Sequence, residues 1–456
     1  MADSRESVNV VTLGCSKNLV DSERVIRMFT DAGFAAYHQT ENPTDIVVIN
    51  TCGFIGDAKE ESINTILEFA GAKQRGEISK LLVMGCLSER YRNELPDELP
   101  EVDRWYGKFD WTTLVDDLLA REKKEQPYRR SITTPEHYTY IKISEGCNRF
   151  CAFCAIPLIT GRHQSRSIED IEDEVKRLVA DGVKEFNIIA QDLSSYGIDL
   201  YGKASLATLI DRLAVIPGVK RIRLHYAYPA EFPMDILPVM RRHKNVCNYL
   251  DIALQHISDN ILKGMRRHIT AAETRALLAE IRRQVPGIHI RTTLMVGFPR
   301  ETEEDFKELL DFTREQRFER MGAFAYCEEE GTFAANNLDD NVPEDVKQRR
   351  LTELMELQEG ISLEIQQEKV GKTLDVIIDS EENDYYIGRT EFDSPEVDPE
   401  VLVKKNTLLT VGEIYPVKIT DAMPFELIGE ALTETAQDAD TTTPPITGDL
   451  KQEAQK

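Results

Sequence analysis

Short apolar runs alternate with amphipathic stretches through roughly the first 125 residues. Residues 8–13, 46–49 and 81–84 are mostly apolar runs of strand length, while 21–32 and 58–69 carry apolar side chains at helical spacing. Strand, helix, strand in that order predicts βαβ units and a parallel sheet. A polar stretch with two prolines at 126–136 reads as a linker. The alternation then resumes, with strand candidates at 138–143, 185–190, 221–225, 249–254, 288–296 and 320–326. Six strand–helix repeats predict a parallel barrel or part of one. Pro343 opens a long polar helix closed by Gly371. Beyond it, five short runs at 373–378, 385–389, 401–403, 415–420 and 425–431 predict a small antiparallel β-barrel. The expected domains are 8–125, 133–370 with the linker helix, and 371–436, followed by a polar tail at 437–456 expected to be disordered.

At 456 residues the chain has room for about three such units. Its net charge of −25 opposes attraction to a phosphate backbone, so direct nucleic-acid binding is not expected without a local basic patch. No apolar run approaches the ~18 residues of a spanning helix, and the first residues lack the basic–apolar–small pattern of a secretory signal. A cytoplasmic location without a membrane partner is expected. Eight unevenly placed cysteines in a reducing compartment point to metal ligation or catalysis rather than to a disulfide framework.

Cys147, Cys151 and Cys154 form C-x-x-x-C-x-x-C directly after a predicted strand. Three thiolates on one tight loop can each take one iron of a 4Fe-4S cube and leave the fourth iron open to a small molecule. The alternative is a zinc knuckle completed by His137 or His163, but structural zinc loops usually supply paired cysteine elements, and this is a single cluster of three. Cys15, Cys52 and Cys86 lie 37 and 34 residues apart, and each directly follows the apolar run of a predicted strand. In a parallel sheet those strands finish at one edge, where open α/β folds place ligands, so a second three-thiolate site is expected. The alternative is three unrelated cysteines in buried turns. Cys247 and Cys327 have no partner at ligand spacing, and His225, His256, His268 and His289 are scattered. None of these six is assigned chemistry.

With Phe153 before its last cysteine, the first motif resembles the radical S-adenosylmethionine (SAM) superfamily. That resemblance implies that the open iron chelates SAM and that its reductive cleavage gives a 5′-deoxyadenosyl radical. Three cysteines before this motif and a small β-barrel after it resemble the methylthiotransferases, over residues 8 to 435. The resemblance implies an α/β architecture of flavodoxin-like domain, partial (β/α)6 radical SAM barrel and OB-like TRAM barrel. It also implies two 4Fe-4S clusters, with Cys15, Cys52 and Cys86 holding the auxiliary one. Two SAM molecules would serve per turnover, one as methyl donor and one as radical source, together with an electron donor and a sulfur donor.

Of the two main substrates of that family, Cys15-Ser16-Lys17-Asn18-Leu19-Val20-Asp21-Ser22-Glu23 and Asn50-Thr51-Cys52-Gly53-Phe54-Ile55 resemble the branch acting on an aspartate of the twelfth small-subunit ribosomal protein, met free or on the ribosome. The branch acting on adenosine in transfer RNA typically has glutamine-methionine-asparagine after the first cysteine. Residues 371–435 hold 5 basic and 15 acidic side chains, a charge of −10 that suits a basic protein better than RNA, unless it only aids solubility. By the same resemblance Gln191 and Asp192 after the second barrel strand are candidate SAM contacts; Gln255 after the fourth and the turn at Gly297 after the fifth, at the face where barrels place their sites, are further candidates, a turn or packing role being the alternative for each, and Lys17 and Asn18 beside Cys15 are candidates to line the sulfur-transfer cavity. A radical enzyme with another product and a non-catalytic iron–sulfur or zinc protein are the remaining alternatives.

Overall fold

The computed structural model describes residues 6–120 and 128–432. The expected tail at 437–456 and the first two residues of the linker lie outside the described residues. The N-terminal sheet comprises β1 (Ser7–Thr12), β2 (Ala35–His38), β3 (Ile46–Thr51), β4 (Lys80–Gly85) and β5 (Arg104–Trp105), all parallel in the order 2-1-3-4-5. This is a flavodoxin-like order. Every residue of β3 is buried, because helices cover both faces of the sheet, which is why it reads as an unbroken apolar run. The sequence reading lacks β2 and β5. Ala35–His38 is a half-buried edge strand with no apolar run, and Arg104–Trp105 has only two residues.

The central domain opens with β6 (Tyr138–Lys142). A short antiparallel ribbon of β7 (Ser144–Glu145) and β8 (Gln164–Ser165) closes the loop that carries the C-x-x-x-C-x-x-C motif. There follow β9 (Glu185–Ile189), β10 (Arg221–Ala227), β11 (Val246–Ile252), β12 (His289–Val296) and β13 (Arg320–Ala325). With β6 these pair in parallel and in chain order, giving an open six-stranded barrel. The intervening helices bury one face, as Ile171, Val175 and Leu178 of Ile168–Ala180 do, and capping boxes at Thr270/Glu273 and Thr302/Asp305 start two of them. Both open edges are covered: the first-domain helix Ser16–Asp31 packs against β6, and the linker helix Glu344–Gln367 packs against β13.

The terminal barrel is β14 (Thr373–Glu382), β15 (Tyr385–Arg389), β16 (Glu400–Lys404), β17 (Ile414–Ala422) and β18 (Glu426–Ala431), closed in the order 14-15-16-18-17. One pair, β16 with β18, is parallel, so the barrel is mixed rather than wholly antiparallel.

The segment after β15 plugs the N-terminal end of the central barrel. Arg389 reaches Glu185 at 2.9 Å and Asp379 at 2.6 Å, and Arg223 also pairs with Glu185. Asp393 meets Arg320 at 2.5 Å, and Asp398 meets Arg291 at 3.3 Å and the Tyr249 hydroxyl at 2.8 Å. The −10 of this domain is therefore not all surface charge. Asp393 and Asp398 face central-barrel cations, Asp379 pairs with Arg389 of its own domain, and Glu391 accepts the Asn248 N–H at 3.0 Å.

Burial alone would lift the Glu185 carboxyl, but Arg223, Arg389 and Arg221 outweigh it and hold it well below the ordinary carboxylate range; Arg320 and Lys369 do the same for buried Asp393. Folded values below the unfolded ones mean that this stabilisation is complete above about pH 4.3 and is lost as pH falls through the folded values. Acid is therefore expected to loosen the plug, read as faster hydrogen exchange in 385–400. Glu185→Gln, which leaves Arg223 and Arg389 buried without their shared partner, should cost about 3–5 kcal/mol in denaturant unfolding.

Candidate active site: two cysteine triads at one domain interface

The first triad sits on the loop between β7 and β8. The Arg149 N–H points at Cys147 Sγ at 3.4 Å, the Cys154 N–H donates to the Cys151 carbonyl at 3.1 Å, and Arg267 Nη1 lies 3.5 Å from Cys151 Sγ. Tyr228 Oη stands 3.9 Å from the same sulfur and donates to the Arg267 carbonyl at 2.8 Å. The guanidiniums of Arg149 and Arg267 both stack on the Tyr228 ring at 4.3 Å. Burial pushes the Cys147 thiol up to about 11 and raises Cys154 as well, so at neutral pH these thiols ionise only against a cation.

The second triad is assembled from the ends of β1, β3 and β4. Two glycines allow the turns to touch. Gly14 has φ +91°, and a Cβ on it would lie 2.8 Å from Cys52 Cβ; a Cβ on Gly53 would lie 2.7 Å from the Leu87 backbone beside Cys86. Asn18, which is buried, ties the three turns together. Its Nδ2 donates to the carbonyls of Leu13 (2.9 Å) and Thr51 (3.1 Å), and its Oδ1 faces Cys86 Sγ at 3.7 Å. Cys15 caps the helix Ser16–Asp31. Desolvation in its cleft would raise its thiol, yet the Lys17 ammonium, the Asn18 N–H and Lys108 bring it below the ordinary value. Burial raises Cys52 and pushes Cys86 up to about 12, the latter against the pull of Lys108.

The triads belong to adjoining elements, since the helix Cys86–Arg90 packs on the helix Ile156–Thr160 that follows Cys154. Two buried ionic contacts lock this interface. Arg90 and Lys59 grip Glu329 at 2.8 and 2.9 Å. Lys108 meets Asp21 at 2.6 Å, Lys142 meets both Asp21 and Glu145, and Glu145 accepts from Gln191 Nε2 at 3.4 Å.

Among the described residues, no group of three or more His, Cys, Asp and Glu side chains is already drawn in around one metal ion. A cube asks for a wider arrangement, because each thiolate takes its own iron. Donor sets of sulfur alone, with cations nearby, fit such clusters. Two of the expected cofactor contacts have buried acceptors without a hydrogen-bond partner among the described residues, Gln191 Oε1 and Gln255 Oε1, and Gln255 holds φ +71°. Asp192 differs. Its carboxylate is already taken by Arg149 (2.7 Å) and by Ser194 and Ser195, so it orients Arg149 beside Cys147. Gly297 has a packing reason, as a Cβ there would lie 2.4 Å from Lys347 Cγ. Cys247 is buried and Cys327 exposed, both apart from the triads. The sequence reading held Asp21 only as part of the Cys15–Glu23 motif, and it missed Tyr228, Arg267, Lys108, Lys142 and Glu329. Tyr228 and Lys142, at or next to the C-terminal ends of barrel strands, carried a positional signal.

The fold and the site together define a radical SAM enzyme with an N-terminal cysteine-bearing domain. Three family models match in succession: "Uncharacterized protein family UPF0004" over 7–107, "Radical SAM superfamily" over 141–313 and "TRAM domain" over 370–432. The ribosomal protein uS12 methylthiotransferase RimO of Bacteroides thetaiotaomicron is 60% identical over 430 residues, covering 94% of this chain and 99% of its own. Those of Porphyromonas gingivalis, 57% identical over 93% of this chain and 98% of their own, and of Christiangramia forsetii, 51% over 95% and 96%, are similar throughout. The chain belongs to the ribosomal protein uS12 methylthiotransferase family. Among solved structures, the radical SAM methyltransferase TsrM of Kitasatospora setae, with cobalamin and a 4Fe-4S cluster bound, shares the fold at a TM-score of 0.53 and 15% identity, over 70% of this chain and 72% of that one. The cobalamin-dependent radical enzyme OxsB, with SAM bound, does so at 0.51 and 12%, over 78% and 56%.

Proposed function

We propose that the protein replaces a hydrogen on the β carbon of an aspartate side chain of ribosomal protein uS12 with a methylthio group. The observation that carries this reading is the meeting of two all-cysteine triads, contributed by separate domains, at one interface. Cys147, Cys151 and Cys154 would hold one 4Fe-4S cluster, and Cys15, Cys52 and Cys86 a second. Bound there, the clusters and two SAM molecules would supply the radical, the methyl group and the site of sulfur attachment, given an external one-electron donor and a source of sulfide.

The chain's own residues do the rest. Gln191 and Gln255 offer free acceptors to the cofactor's polar groups. Tyr228, Arg149 and Arg267 pack around the first triad and place positive charge beside sulfur. The buried Asp21, Lys108 and Lys142, with the half-buried Glu145, hold the two domains together with their charges paired, and so exclude water between the triads. The test is anaerobic turnover of the reconstituted protein with SAM, a low-potential reductant and sulfide, purified uS12 and transfer RNA being offered together. Mass spectrometry should find the methylthio group on uS12. Its appearance on transfer RNA alone would overturn the reading.

Among the surface acids that can steer a basic substrate are those of the β14–β15 hairpin, where Glu381, Glu382 and Asp384 are exposed side by side. Exchanging these three for lysine, and leaving Glu391 and Asp393 in the plug, is expected to slow association with uS12 about tenfold at low salt. The difference should fade as salt shortens the Debye length to about 8 Å and below. Modification rate against uS12 concentration, at two ionic strengths, checks this.

A further inference from the structure

Most cations at the interface between the triads are neutralised. Lys108 and Lys142 share Asp21, and Lys59 and Arg90 share Glu329. Lys17 is different. It stands two residues after Cys15, and its ammonium lies 3.3 Å from the ring centroid of Tyr226 on β10, with no carboxylate at ion-pair distance among the described residues. Its side chain thus crosses from the second triad to the wall of the barrel that carries the first. An aromatic face holds an ammonium by its quadrupole without cancelling the charge. Tyr226 is itself held at φ +67°, a conformation unfavourable to a bulky residue and one that persists only where its surroundings impose it. The carboxylate in reach of Lys17's field, Asp251, is already engaged by Arg291 at 3.5 Å and by the Tyr226 N–H at 3.3 Å.

We propose that Lys17 pairs with the carboxylate of the substrate aspartate and so selects an acidic side chain, an inference that rests on the uS12 reading above. The β carbon to be modified is bonded directly to that carboxylate. A cation fixed between the sulfur-bearing triad and the barrel wall would therefore hold the reacting carbon within the interface, where both triads are at hand. Tyr226 is the positioning residue that aims the ammonium.

The test measures binding, with reductant omitted so that nothing turns over. Full-length reconstituted protein, as wild type, Lys17→Met and Lys17→Arg, is titrated with whole uS12 and with uS12 whose target aspartate is changed to asparagine. A charge-assisted hydrogen bond contributes about 1.5–3 kcal/mol, so wild type should prefer the aspartate form by about 10- to 150-fold. Lys17→Met should bring the two forms within about twofold of each other by weakening only the aspartate form, and Lys17→Arg should keep most of the preference. An unchanged preference in Lys17→Met, or none in wild type, overturns the proposal. Loss of iron and sulfide from Lys17→Met overturns it in favour of a role in balancing the charge of the second triad. If wild type binds neither form, the uS12 reading itself falls, and this inference with it.

Discussion

Replacing Cys15, Cys52 and Cys86 by alanine is expected to abolish methylthiolated uS12 while 5′-deoxyadenosine is still formed. The expectation follows from how the two triads are built. The first-domain cysteines are held by the ends of three strands and by Asn18, whereas the other three sit on a loop closed by its own ribbon and packed against Tyr228 and Arg267. Neither set supplies a ligand to the other. The contacts that dock the domains, Arg90 to Glu329 and Lys142 to Asp21, use no thiol, so the mutant should keep its barrel and its remaining cluster. Iron and sulfide analysis should then find one cluster's worth of each, with SAM cleavage retained under reductant. Normal methylthiolation by this mutant would make the three cysteines packing residues.

The companion substitution should be more severe. With Cys147, Cys151 and Cys154 changed to alanine, no 5′-deoxyadenosine is expected above the uncatalysed background, and no methylthio product either. Alanine leaves no thiolate to hold an iron, and the Arg149 N–H and Arg267 Nη1 that now face sulfur would face a methyl group. The second cluster should persist, because its ligands lie on another sheet. Chromatographic quantification of 5′-deoxyadenosine from anaerobically reconstituted protein decides the matter, and full production would sink the assignment of the loop.

Both triads were legible from the chain because cysteine spacing and strand ends are local properties. Cys15, Cys52 and Cys86 each follow an apolar run, and parallel pairing alone brings such positions to one edge. The fully buried β3 was equally plain, whereas β2 and β5 were invisible because neither has enough buried residues to leave a pattern. What could not be read depends on contacts between distant segments. Gly297 looks like a turn residue until Lys347, fifty positions later, is found against it. Asp379, Asp393 and Asp398 count as surface acid in any tally of charge, yet Asp393 and Asp398 are turned toward cations of the central barrel and Asp379 toward Arg389 of its own domain. Arg267 and Tyr228 gain their place only when a loop after β11 and the end of β10 converge on Cys151.

The ionic plug restricts how this architecture can be recombined. Gly371, where the chain passes from helix to terminal barrel, looks like the natural joint for exchanging one substrate-facing module for another. A graft made there would carry away Asp379, Arg389, Asp393 and Asp398 together, leaving Glu185, Arg223, Arg291 and Arg320 of the host to meet whatever the donor supplies. Buried charges left without partners cost several kcal/mol each, so only donors whose loop repeats the same sequence of signs would seat. The third domain is therefore inherited with the barrel it stoppers, and a chimera that respects the lock must be cut within the loop's exposed neighbours rather than at the glycine.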